Sequence, residues 1–318
     1  MRIISAEIIE KAIPPSLWIN TMEEALLANE KEDYVTPNRM HVMVQENTLL
    51  LMPSVGPKNY ATKLVSVFPG NKNLKKAIIQ GIVVLNDGET GEGLALLNGS
   101  QLTAMRTAAI AVIGARYLSP ENTNSLGIVG GGFQGKHIAW FASKEKPIEK
   151  IYLVDYFEEV IAEFISFIKT KKPEIEVVVC KDAQELLSKT SLVFTATSSS
   201  QPVLPNHAEL LKDKCIIGVG SYKPEMREFP DALYPLVNEI WIDAEHGKQE
   251  TGDLIYPQED GLIDSTKIRL ISNLIGKCKL TKGTRIYKTV GLATFDLFAA
   301  QMVYDYCKKE NLGVEVEL

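Results

Sequence analysis

Three cations stand in apolar surroundings in the first third of the chain: Arg39 in "TPNRMHVMV", Lys63 in "YATKLVSVFPGN" and Arg106 in "LTAMRTAAIAVIGA". Arg106 is the most informative. It lies beside Thr107-Ala108-Ala109 on a helix too apolar to face solvent, and a guanidinium removed from water needs an anionic partner. That partner is either the carboxylate of a substrate or a carboxylate of the protein itself, and the residue types leave both open. Lys63 could equally be a strand lysine that buries its stem and keeps its ammonium in water. Arg39 alone reads as little more than a surface residue. Two arginines and a lysine in one domain nevertheless suggest a substrate bearing a carboxylate, which Arg holds with two parallel hydrogen bonds while Lys serves as a point charge or proton carrier.

A second concentration of chemistry lies in "SLGIVGGGFQGKHIAWF", residues 125–141. Gly130, Gly132 and Gly135 match the G-x-G-x-x-G pattern that lets a pyrophosphate approach the main chain at a helix N-terminus. The pattern alone is weak, and its context decides. Here an apolar β-branched run precedes it and a helical stretch follows. The next run ends in Asp155, twenty residues after Gly135, where an acid accepts hydrogen bonds from ribose hydroxyls and repels a 2′-phosphate. The expectation is a nicotinamide dinucleotide, NAD(H) favoured over NADP(H). The competing reading of Asp155 is a solvated acid at a strand end.

The elements needed to position these groups are legible in the hydrophobic pattern. From Ser125 onward the runs "SLGIV", "IYLVD", "EVVVC", "LVFTA", "CIIGVG" and "EIWID" alternate with helical segments, as in a parallel sheet with crossover helices. "FEEVIAEFISFIKTKK" sets Val160, Phe164 and Ile168 on one stripe. The fold class expected is α/β, a doubly wound parallel Rossmann sheet of six strands, joined to an α+β substrate and dimerisation domain. That second domain covers residues 1–119. It opens with the helix "LWINTMEEALLANE", continues with strands at "TLLLMPSV", "YATKLVSVFPG" and "IIQGIVVLND", then "GEGLALLNG" and a helix from Thr103 to Tyr117. The dinucleotide domain spans 120–293, and a C-terminal helix within 294–318 returns to the first domain.

Composition narrows the function classes. The 318 residues are 45% hydrophobic and 23% charged, with a net charge of −6, a globular balance with no overall attraction to nucleic acid. Glu7 and Glu10 interrupt any signal-peptide core. The uncharged run Thr190–Ala208 holds two prolines and cannot span a membrane. Cys180, Cys215, Cys278 and Cys307 fit neither a zinc pattern nor a disulfide framework, and His41, His137, His207 and His246 form no ligand pair. The expectation is a cytoplasmic protein with reduced thiols and no metal.

With these motifs in place the chain resembles the ornithine cyclodeaminase/mu-crystallin family. "KLVSVFPGN", "LTAMRTAA", "GIVGGGFQGKH", "TATSSSQPVL", "GVGSYKPEMRE" and "YKTVGLATFDLFAA" are similar to its successive motifs, in order. The resemblance implies a homodimer formed through the first domain and a substrate site lined by Arg39, Lys63 and Arg106. It also implies a cofactor site of Gly130, Gly132, Gln134 and Gly135, with Thr197, Ser198, Val290 and Gly291 beside the nicotinamide. Two departures stand out: Gly135 replaces a frequent Ala, and Tyr222 stands where ornithine cyclodeaminases and related alanine dehydrogenases carry an aspartate. In the cyclodeaminases that aspartate handles the amine. Its absence points to members that reduce cyclic imines, with Lys63, Arg39, Arg106 and Tyr222 around the substrate. The alternatives are ornithine cyclodeamination or amino-acid dehydrogenation, with water or Glu228 as base, and a non-catalytic protein that binds a dinucleotide and a small ligand.

Overall fold

The computed structural model describes residues 1–31, 33–37, 39–74, 76–277 and 279–317, apart from the side chains of Lys72 and Asn73. Cys278 and the terminal Leu318 lie outside the described residues. The chain folds as two compact units, Met1–Arg106 with Leu292–Leu318, and Thr107–Gly291.

The first unit holds strands β1 (Arg2–Ile4), β2 (Met40–Val44), β3 (Asn47–Val55), β4 (Asn59–Val67), β5 (Ile79–Asp87) and β6 (Gly93–Asn98), with helices α1 (Ala6–Lys11) and α2 (Pro15–Ala28). They form one sheet in the order β15-β1-β6-β5-β4-β3-β2, where β15 is Val314–Glu315. Among the described residues of this sheet, only β1 with β6 is parallel. The three strands expected from the hydrophobic runs correspond to β3, β4 and β5; β6 forms in "GEGLALLNG", and β1 and β2 are additional. β1 alternates in burial but is only three residues long, too short for a pattern in the sequence, and every residue of β2 is exposed. α2 starts on Pro15, whose fixed φ suits a first helical position. It buries Trp18, Met22, Ala25 and Leu26 against helix α10 (Ala293–Lys309). α10 also packs on β3 and β4, so the face carrying Ala61, Val83, Leu85, Ala95 and Leu97 is the core of this unit. The terminal helix ends at Lys309, inside the returning segment 294–318. Asn311 and Gly313 then take positive φ, and the chain turns into β15 against β1.

Helix α3 (Gly99–Leu118) is continuous, and the division between the units falls inside it, ahead of the expected boundary at residue 119. The second unit is an all-parallel sheet of β7 (Ser125–Val129), β8 (Lys150–Val154), β9 (Glu176–Val179), β10 (Leu192–Thr195), β11 (Cys215–Gly218), β12 (Ile240–Ile242), β13 (Ile268–Leu270) and β14 (Arg285–Lys288). Its order is β13-β12-β14-β11-β10-β7-β8-β9. The count is a correction: eight strands among the described residues, not six. β14 reads "RIYK", and its two cationic ends hide a strand that lies buried between β11 and β12. Helices α4 (Phe133–Glu145), α5 (Glu158–Lys171), α6 (Ala183–Lys189), α7 (Ala208–Leu211), α8 (Gly247–Glu250) and α9 (Gly252–Glu259) connect the strands. On α5 the expected stripe buries Phe164 and Ile168 and leaves Val160 half-buried. Among the described residues, no helix is long and apolar enough to cross a membrane, and no group of three or more His, Cys, Asp or Glu could hold a metal ion.

Candidate active site

In the first unit, strand alternation sets Lys63 on the core face of β4, level with Met52 and Val83 on the adjacent strands. Asp296 stands in the first turn of α10, where a helix N-terminus favours a carboxylate. The Lys63 Nζ lies 2.5 Å from Asp296 Oδ2, and Arg106 Nε donates to Asp296 Oδ1 at 2.9 Å. Lys63, Asp296 and Arg106 are 3%, 1% and 7% exposed. The internal carboxylate that the sequence left open as a partner for Arg106 is therefore present. It engages one of five guanidinium N–H donors and is shared with Lys63. One carboxylate between two buried cations leaves positive charge in excess, and Arg39 adds to it electrostatically. The segment leading to Arg39 is tied down by Thr36, whose hydroxyl meets those of Thr294 at 2.7 Å and Ser54 at 3.3 Å.

Burial pushes the Lys63 ammonium down to about 8; Asp296 opposes this, and Arg106 and Arg39 add to it. For Asp296, burial raises the pKa, but Lys63 and Arg106 together outweigh it and hold the carboxyl below its usual range. Lys63 is thus cationic at neutral pH and able to release a proton slightly above it. If it donates a proton in a reaction at this site, kcat/KM falls as pH rises through about 8. Lys63→Arg removes that limb, because guanidinium keeps its proton. A wild-type pH–rate profile flat to pH 10 would exclude the role. Linkage has its own sign here. The unfolded lysine titrates near 10.5, so between about 8 and 10.5 the unfolded chain binds more proton, and this group's contribution to stability rises with pH.

In the second unit the glycine loop follows β7, the first strand of the sheet, where the strand order reverses between β8 and β10. Gly130 has φ +95°, and a Cβ there would lie 2.7 Å from the Ala196 carbonyl. A Cβ on Gly135 would lie 2.0 Å from the Gly130 carbonyl, so the helix approaches the loop too closely for a side chain at this position. Gly132 caps α4, and a Cβ there would meet open space. The Gln134 Oε1 is buried without a hydrogen-bond partner. A cradle of bare backbone at a helix N-terminus fits a dinucleotide pyrophosphate, whereas the orphaned Gln134 oxygen, an acceptor, calls for a donor such as a hydroxyl or an amide. Asp155, at the end of β8, is more than a solvated acid: it accepts from Gly131 N at 2.8 Å and Phe157 N at 3.1 Å, which fixes it against the loop.

The remaining expected residues occupy the same C-terminal edge of this sheet. Thr197 and the exposed Ser198 follow β10. Val290 and Gly291 follow β14, their N–H groups donating to Asp243 at 3.2 and 2.9 Å. Tyr222 follows β11, is 40% exposed, and has the Lys223 ammonium 5.7 Å from its ring centroid. Sequence reasoning misses Asp296 and Asp243 as parts of the machinery and offers Glu228 only as a base. Asp296 has a usable signal, an acid in the apolar stretch "GLATFDLFAA". Asp243 and Glu228 have none beyond a charge at a strand or loop end.

The sequence profile described as the Ornithine cyclodeaminase/mu-crystallin family matches residues 2–311. The chain is 33% identical to a Δ1-pyrroline-2-carboxylate reductase of Bacillus cereus, over 100% of both chains. It is 27% identical to the ketimine reductase mu-crystallin of Rattus norvegicus, over 95% of this chain and 96% of that one. Its structure is similar to that of the Thermococcus litoralis Δ1-pyrroline-2-carboxylate reductase in complex with NADH and L-proline. There the TM-score is 0.90 at 27% identity, covering 99% of this chain and 100% of the other.

Proposed function

The chain belongs to the ornithine cyclodeaminase/mu-crystallin family, and we propose that it is an NAD(P)H-dependent reductase of a small cyclic imine carboxylate such as Δ1-pyrroline-2-carboxylate. The observation that carries this reading is the buried Lys63–Asp296–Arg106 cluster, whose excess positive charge suits an anionic substrate. Arg106 and Arg39 hold the carboxylate and so orient the substrate. The bound dinucleotide supplies the hydride. Lys63 holds at Nζ the proton destined for the imine nitrogen, and Asp296 fixes that ammonium in place. A preformed imine needs no base to strip an ammonium group, which fits Tyr222 in place of an aspartate. Glu228 is a poor substitute base, because it is fully buried and accepts from Thr197, Gly220 and Ser221. The test is steady-state turnover of Δ1-pyrroline-2-carboxylate with NADH against ornithine with NAD+. Ammonia release from ornithine at a rate comparable to imine reduction would sink the reading.

NADH is the preferred cofactor on this reading, because Asp155 is held beside the glycine loop where an added phosphate would meet a carboxylate. Asp155→Ser is expected to shift the ratio of kcat/KM values toward NADPH by about tenfold or more, on the order of 1.4 kcal/mol. An unchanged ratio would place the specificity elsewhere.

The first unit also offers a surface for a second copy. On the sheet face opposite Lys63, the cross-strand row Met40, Leu51, Leu64 and Ile82, with Val42 and Leu49 alongside, is apolar and at least partly exposed. Its edge strand β2 is exposed throughout, a combination soluble chains ordinarily cover. A homodimer through this unit is expected in light scattering, and Val42→Glu with Leu51→Glu should yield monomers. A monomeric wild-type protein at micromolar concentration would refute it. Cytoplasmic residence fits the buried free thiols of Cys180, Cys215 and Cys307.

A further inference from the structure

We infer that Glu228 is a positioning residue: its carboxylate locks the ends of β10 and β11 together, and with them Thr197 and the Tyr222 loop, at the C-terminal edge of the parallel sheet where the dinucleotide is proposed to bind. The inference rests on the dinucleotide reading above. Oε1 accepts from the Thr197 amide at 2.7 Å and its hydroxyl at 2.9 Å. Oε2 accepts from the Gly220 amide at 2.8 Å and the Ser221 amide at 3.3 Å. Four donors converging on one side chain require an acceptor-only group with two oxygens, which a carboxylate is and an amide is not. The junction has no slack. A Cβ at Gly220 would lie 2.0 Å from the Thr197 carbonyl and 2.5 Å from Glu228 Oε1.

Glu228 is itself fixed from behind. Asp253 Oδ1 accepts from the amides of Glu228 and Phe229 at 2.7 and 2.9 Å. Lys288, at the end of β14, places its ammonium 3.5 Å from Asp253 Oδ2 and 4.0 Å from Glu228 Oε2, with all three groups fully buried. The Ser221 hydroxyl donates to the Met226 carbonyl at 2.6 Å and meets Thr251, the cap of α9, at 2.5 Å. Three adjacent strands, β10, β11 and β14, therefore present their ligand-side ends in one fixed arrangement, although Glu228 offers no surface to a ligand.

Glu228→Gln tests this, since it keeps the shape but turns an N–H₂ group toward the Gly220 and Ser221 amides. In the full-length cofactor-free protein, deuterium exchange in peptides spanning Thr197 and Gly220–Tyr222 is expected to quicken by about tenfold, with β4 and α10 unchanged. The Kd for NADH should rise by about tenfold while the KM for imine stays within about twofold and the pH profile of kcat keeps its shape. Glu228→Asp, which keeps the charge but falls short of one strand end, should fall between. Wild-type exchange and NADH affinity in Glu228→Gln would overturn the inference. So would loss of a pH limb with unchanged NADH affinity, which would make Glu228 a proton carrier. Should Glu228→Gln fail to fold, Thr197→Val removes one hydroxyl contact, and no rise in exchange or in the Kd for NADH would likewise overturn it. Exchange and NADH binding do not involve the imine, so a wild-type protein inert toward imines would refute the proposed substrate and leave this test readable.

Discussion

Asp296→Asn is expected to lose about 3–5 kcal/mol of folding stability and at least about a hundredfold in imine reduction. The substitution is nearly isosteric, so packing against α10 is kept and only the charge is removed. Lys63 and Arg106 are then left buried, with Arg39 adding further positive charge and no counter-ion at the shared position. The ammonium yields first: without the attraction of Asp296, the Lys63 pKa falls below its present value of about 8, and the alkaline limb of the pH–rate profile moves down with it. Thermal unfolding and the pH profile measured on the same preparation test both parts. A variant with wild-type melting temperature and an unmoved limb would mean that the carboxylate is not the counter-ion the geometry indicates.

Arg106→Leu is expected to lower kcat/KM for the imine by at least about a hundredfold, roughly 3 kcal/mol, with the fold retained. Retention follows from what is left behind. Asp296 keeps Lys63 at 2.5 Å, so the variant buries a neutral pair in place of a cluster with excess positive charge. Arg106 now lowers the Lys63 pKa, so its removal should raise the alkaline limb, opposite in direction to Asp296→Asn. Unfolding of the variant, with activity lost in proportion to the unfolded fraction, would show that Arg106 serves the internal ion pair rather than a substrate carboxylate.

Local features are legible in the sequence because their causes are local. The strand, glycine turn and helix of residues 125–145 lie within one short stretch, and the steric demand at Gly135 arises inside it, from the Gly130 carbonyl, whereas the demand at Gly130 comes from Ala196 beyond it. The same holds for the β-branched runs of β7, β8 and β10, and for the acid ending β8. β1, β2 and β14 are not legible, because pairing, not pattern, makes them strands. Three or four residues with charged ends become a strand only when neighbours supply the hydrogen bonds and burial.

The sequence also determined that Arg106, in its apolar helix, had to find an anion, because desolvating a lone guanidinium is too costly to persist. Which anion was decided by tertiary structure alone. Asp296 lies 190 residues further along the chain, and only the packing of α10 on β4 brings it between Arg106 and Lys63. Likewise Glu228, on the proposed reading, is a clamp rather than a base because the ends of two adjacent strands, 31 and 8 residues before it, point their amides at it. A residue type states the free-energy demand of a buried charge; which distant group meets that demand follows from how the strands and helices pack.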